Sequence, residues 1–185
     1  MKPGDRILLQ GIGGEFSDGV IVKRMMSAES IRYLREQGRH EDARNLAVQL
    51  TEDFPTDAEL QYEAACVHDY LGLEAEAVPY YLNAISGELS ETLLRGAYLG
   101  LGSTYRALGE YMLALNTFDE GLAQFPDAHE LHVFKAMALF NVGESRQSVE
   151  TLLKVIAATS QDPYVQEYRR AIALYSEDLT RTWRE

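Results

Sequence analysis

Four groups of residues in this chain have types and spacings that could do chemistry. Gly11-Ile12-Gly13-Gly14 is a glycine-rich run of the kind that cradles phosphate. A phosphate-binding loop follows its glycines with Lys and Ser or Thr at a helix start, where backbone N–H groups and a cation meet the phosphate. Glu15 and Phe16 follow here instead, and a carboxylate repels phosphate, so the run reads as a plain loop. His129 and His132 lie three residues apart and could share a metal. A metal centre needs three or four ligands, and His40 and His68 belong to other segments, so the pair reads as surface histidines. Cys66 has His68 close by in sequence, but residues two apart on a helix do not face each other. No triad or oxyanion-hole pattern accompanies them, so Cys66 reads as a buried or groove-lining thiol. Carboxylates such as Glu74, Glu76 and Glu88 are dispersed, which fits a solvated face better than an acid–base pair. No catalytic residue, metal or cofactor is therefore expected, and the chain reads as non-enzymatic.

Composition narrows the partners. The chain has 185 residues, with 17 Lys plus Arg against 29 Asp plus Glu, a formal net charge of −12. Nucleic-acid binding rests on releasing counterions with basic residues, and anionic membranes attract basic segments. Neither is expected of so acidic a chain. A single cysteine excludes an internal disulfide and gives no sign of an oxidising compartment. No apolar run approaches the roughly 18 residues of a membrane span. The start, with Lys2, Gly4, Asp5 and Arg6, lacks the apolar region of a signal peptide. A cytoplasmic location is the expectation.

The elements that hold these residues follow from a repeat. Gly38, Gly72, Gly109 and Gly143 are spaced by 34, 37 and 34 residues. Five residues after each glycine come Ala43, Ala77, Ala114 and Ser148, all small. Twelve further on lie Pro55, Leu89, Pro126 and Ser160. Self-similarity at about 34 residues is the mark of a solenoid. Apolar residues recur at helical spacing, as in Tyr98, Leu101, Tyr105 and Leu108. The pattern predicts helices near 26–38, 41–53, 57–71, 74–87, 91–108, 111–125, 128–142 and 145–159. Thr56 with Glu59 and Asp127 with Glu130 read as capping boxes. Asp162 reads as an N-cap, with Pro163 at the first helical position. From there Val165, Tyr168, Ile172, Tyr175 and Leu179 form one stripe, which predicts a single capping helix over 162–183 that covers the last unit. Five of the 14 glycines fall at positions 4, 11, 13, 14 and 19, so residues 1–24 read as a tail or small hairpin outside the solenoid. Met25 and Met26 open the helical pattern.

The third unit reads Tyr98-x2-Leu101-Gly102-x2-Tyr105, then Ala114-x3-Phe118, then Pro126. This resembles the tetratricopeptide repeat pattern, Trp-x2-Leu-Gly-x2-Tyr, Ala-x3-Phe, Pro, with only the Trp changed to another aromatic. The second unit keeps Ala65, Gly72, Ala77, Tyr81 and Ala84. The first keeps Leu34, Gly38, Ala43 and Pro55, and the fourth Ala136, Leu139 and Gly143 with Ser148 in place of Ala. The resemblance implies an all-α, right-handed α-solenoid of about four helix-turn-helix units, near 24–57, 58–91, 95–128 and 129–161, plus the C-terminal capping helix over 162–185.

It further implies that the first helix of each unit lines a concave groove. Carried onto this sequence, the lining positions are Ala28, Arg32, Arg35 and Glu36; Tyr62, Cys66, Asp69 and Tyr70; Leu99, Ser103, Arg106 and Ala107; and Val133, Met137, Phe140 and Asn141, with Phe134 adjacent. Exposed apolar clusters mark interaction sites, and Arg is favoured at interfaces. The expected partner site is therefore Arg32, Arg35, Tyr62, Cys66, Tyr70, Leu99, Arg106, Phe134, Met137 and Phe140. Some family members hold a carboxylate with Lys, Asn and Arg. The matching positions here are Ala28, Arg32, Glu63, Gly96 and Gly100, which do not make that clamp. The expected function is a protein-interaction module for a peptide or helix of a partner, with self-assembly into a homodimer as the alternative.

Overall fold

Each unit is built around one glycine that closes its first helix. Gly38, Gly72, Gly109 and Gly143 have φ of 72°, 73°, 81° and 88°, a region that side chains with a Cβ avoid. Around Gly38 the amides of Gly38 and Arg39 donate to the carbonyls of Arg35 and Leu34, and the same pair of bonds recurs at the other three glycines. This is the Schellman closure, which satisfies the last carbonyls of a helix while reversing the chain.

The computed structural model describes residues 27–182. The expected tail or hairpin over 1–24 and the opening methionines lie outside them. The helices are α1 (Ala28–Glu36), α2 (His40–Asp53), α3 (Ala58–Tyr70), α4 (Glu74–Ser86) and α5 (Glu91–Ala107). There follow α6 (Tyr111–Gln124), α7 (His129–Asn141), α8 (Ser145–Thr159), α9 (Pro163–Glu167) and α10 (Arg169–Tyr175). Consecutive helices pack together from α1 to α8. In addition α1 meets α3, α3 meets α5, and α5 meets α7. The first helices of successive units thus form a continuous layer, with the second helices outside it. The fold is an all-α solenoid, as the repeat predicted.

The two helices of a unit meet at its small residue. Ala43, Ala77 and Ala114 are fully buried. The fourth unit has Ser148 there, and its hydroxyl donates to the Ala136 carbonyl of α7 at 2.7 Å. A buried hydroxyl with its bond made costs little, which explains why Ser stands where the other units have Ala. Tyr81, Tyr98 and Phe118 fill the middle of the solenoid.

Three expectations change. Asp57, not Thr56, caps α3, its carboxylate accepting from the Glu59 and Leu60 amides at 3.1 Å. The carboxylate one residue later simply reaches the free amides better. Ala128 stands at the start of α7, and no side chain caps that helix. The expected single capping helix is two short ones. Asp162 does cap α9 with Pro163 at its first position, but the chain breaks at Tyr168 (φ −97°, ψ 7°) before α10. The break turns the apolar stripe, so Val165 and Ile172 stay half-buried while Tyr168, Tyr175 and Leu179 are exposed. It is α10 that packs on α8, helped by Lys154 against Glu177 at 3.5 Å.

The irregular spacing also finds its place. The last residues of α3, α5 and α7 are Tyr70, Ala107 and Asn141, in step with the glycine spacing. α5, however, has 17 residues where α3 and α7 have 13. The insertion therefore lies inside α5 and adds a turn at its N-terminus, Glu91 to Leu94. No described helix is long and apolar enough to cross a membrane.

Candidate functional site

The first helices place their residues in rows, because equivalent positions recur with the repeat. Arg32, Cys66, Ser103 and Met137 share one row; Arg35, Asp69, Arg106 and Phe140 share the next. A cleft of about 380 Å³ between α1, α3 and α5 is lined by Arg32, Arg35, Glu36, His40, Tyr62, Glu63, Tyr70 and Leu93. A second, of about 280 Å³, shares Arg35 and Tyr70 with it and adds Cys66, Asp69 and Tyr81. A third, of about 310 Å³ between α5 and α7, is lined by Glu91, Thr92, Arg95, Gly96, Leu99 and Glu130. Of the expected site residues, Arg32, Arg35, Tyr62, Cys66 and Tyr70 come together around the first two clefts, and Leu99 sits in the third. Arg106, Phe134, Met137 and Phe140 lie apart from them.

The arginines are not free. Glu63 is 1% exposed and takes Arg32 through Nε at 2.8 Å and Nη2 at 2.7 Å on one oxygen, and Arg35 on the other. A buried carboxylate with unfilled lone pairs is costly, and Nε and Nη2 of Arg32 with Nη1 of Arg35 fill them. Glu63 in turn holds the Arg32 guanidinium above its ordinary pKa. Arg106 donates to Asn141 at 2.8 Å across the next unit boundary. The cationic edge read from the sequence is thus largely engaged inside the solenoid.

The apolar residues divide. Tyr70 is 67% and Phe140 65% exposed, and Met137 is exposed beside Phe140. Tyr62, Cys66, Leu99 and Phe134 are half-buried and packed against the core. Tyr62 lies over Gly96, where a Cβ would come within 2.5 Å of its hydroxyl. Tyr62 and Tyr81 meet edge to face at 6.5 Å. Tyr81 donates to Asp69 at 3.3 Å, and burial lifts the Asp69 carboxyl above its usual range against that bond. Burial likewise pushes the Cys66 thiol up, away from the reactive thiolate. His68 turns from Cys66, with Nδ1 on the Ala64 carbonyl at 2.7 Å and its ring stacked on Tyr80. His132 lies against the Pro126 carbonyl, and no metal-ligand cluster occurs among the described residues.

Several cleft residues escaped the sequence reading as site members. His40 comes from a second helix and stacks on Tyr70 at 3.9 Å. Arg95 pairs with Glu130 at 2.6 Å, 6.0 Å above the Phe125 ring. Leu93, Glu91 and Thr92 come from the added turn of α5; the three-residue irregularity was its only signal.

Residues 58–179, from the second unit to the C-terminal segment, match the family model described as tetratrico peptide repeat. The chain belongs to the tetratricopeptide repeat family. No curated protein matches the chain. The first unit lies outside the matched span, yet Gly38 closes α1 with the same Schellman geometry as the other three, so the repeat runs through it. Tetratricopeptide repeats generally mediate protein–protein interaction, which directs attention to the layer of first helices.

Proposed function

We propose that the chain is a non-enzymatic interaction module that holds a segment of a partner protein along the first-helix face. The observation that carries this reading is the exposure of Tyr70, Met137 and Phe140 on the first helices α3 and α7, with Tyr70 lining the first two clefts. Large apolar side chains left in water at the layer of first helices favour a covering partner. Binding energy would concentrate in such anchors. Tyr62, placed in the site by the sequence, is a poor probe, because its ring is packed over Gly96 and its loss disturbs the fold.

The test is a peptide-display selection on the full chain, repeated with Tyr70→Ala/Phe140→Ala after circular dichroism has shown both to be folded. Selected peptides should lose about tenfold or more in affinity on the variant. Peptides that bind both proteins equally would overturn the placement of the site.

A further inference from the structure

The charges in the clefts reverse the partner chemistry that the arginines suggest. Arg32 and Arg35 converge on Glu63, and Arg95 is matched by Glu130. Glu59 and Glu29 add to the negative field at Arg32. Glu36 and Glu91, which line the first and third clefts, are exposed and make no ion pair among the described residues. The charges lining the first cleft cancel, those lining the third leave one net negative charge, and Glu29 and Glu59 beside Arg32 make the surroundings of the clefts acidic. Leu93, from the added turn of α5, lines the first cleft together with Glu36. The added turn thus supplies both an acid and an apolar wall.

We propose that these clefts take a basic, apolar segment of a partner protein, with lysine or arginine facing Glu36 and Glu91 and apolar side chains against Leu93 and Tyr70. This rests on the reading of the first-helix face as the binding face and names what that face selects. Complementary charges at a rim act on association rate and on discrimination between partners. Arg32 and Arg35 keep exposed N–H groups, but the carboxylate they share already offsets part of their charge, so an acidic ligand gains less from them than from free cations.

The probes are two synthetic amphipathic peptides of equal length, one of Lys and Leu, the other of Glu and Leu, with affinity read by fluorescence anisotropy. A net charge of −12 attracts any cationic peptide, so the decisive comparison is between two variants of equal charge change. Glu36→Gln/Glu91→Gln removes the cleft acids. Glu76→Gln/Glu120→Gln removes acids exposed on the second helices. The Lys/Leu peptide should bind the natural chain, lose about tenfold on the first variant and less than about twofold on the second. Leu93→Ser should also weaken it. Equal losses on both charge variants, or tighter binding of the Glu/Leu peptide, would overturn the proposal. If Tyr70→Ala/Phe140→Ala still abolishes display-selected peptides in that case, the binding face stands and only its chemistry is wrong.

Discussion

At the scale of single residues, the first-helix face is governed by one carboxylate. Glu63 is sealed from water and depends on Arg32 and Arg35, whereas each arginine keeps an exposed part that can return to solvent. The two sides of this cluster should therefore respond unequally. Glu63→Gln frees two guanidiniums that rehydrate, and should lower stability by about 1–3 kcal/mol. Arg32→Met/Arg35→Met strands a buried carboxylate and should cost more, about 3–5 kcal/mol. Urea denaturation of both variants reads the difference; equal losses would show that the carboxylate is not desolvated. Asp69 gives a pH signature. Its folded carboxyl is a weaker acid than the unfolded one, so ionisation opposes folding, and stability from this site rises as pH falls through the folded value towards the ordinary carboxylate range. Asp69→Asn keeps the acceptor for Tyr81 and removes the charge. The variant should be at least as stable as the natural chain at pH 7, and the gap should close as pH falls towards the ordinary Asp range, about pH 4.

At the scale of elements, glycine does two separate jobs. At the unit turns it permits positive φ. On α5 and α6 it permits contact: a Cβ on Gly102 would lie 2.3 Å from Cε1 of Phe118, a fully buried ring. A Cβ on Gly100 would meet Tyr81 equally closely. Alanine gains about 1 kcal/mol over glycine in an exposed helix. Gly102→Ala should nevertheless destabilise by about 1–3 kcal/mol, because the ring it meets is packed on all sides. A rise in thermal midpoint would refute that reading of the α5–α6 contact. Four units in register made these helices legible, with most ends predicted to within two residues. The caps were less legible. A carboxylate at 57 and a hydroxyl at 56 compete for the same amides, and only the path of the backbone decides between them.

At the scale of the whole molecule, stability should fall towards the C-terminal end. A solenoid is held by contacts between neighbours, so its ends have half the support of its middle. Ser148 and Ala157 are the buried residues of α8, and α9 and α10 bury none. Amide hydrogen exchange should be fast over α8 to α10 and slowest over α3 to α6, around Tyr81, Tyr98 and Phe118. Uniform protection from α3 to α10 would mean that the terminal segment seals the solenoid more firmly than its contacts indicate.

The sequence by itself determined the architecture. Glycine spacing, small residues at the helix crossings and apolar periodicity are local requirements of a repeated unit, and four copies restate them. It also placed the first helices along one face, since equivalent positions recur with the repeat. The state of the residues on that face was decided only by tertiary structure. Arg32 and Arg35 read as free cations until Glu63, some 30 positions away, is seen between them. Phe134 reads as a groove residue until packing draws it half into the core, and Leu99 packs on the same core while it lines the third cleft. The three extra residues read as an irregularity until they appear as a turn of α5 beside the clefts. Each of these depends on which side chain of one unit meets which of the next, a pairing that no single repeat encodes.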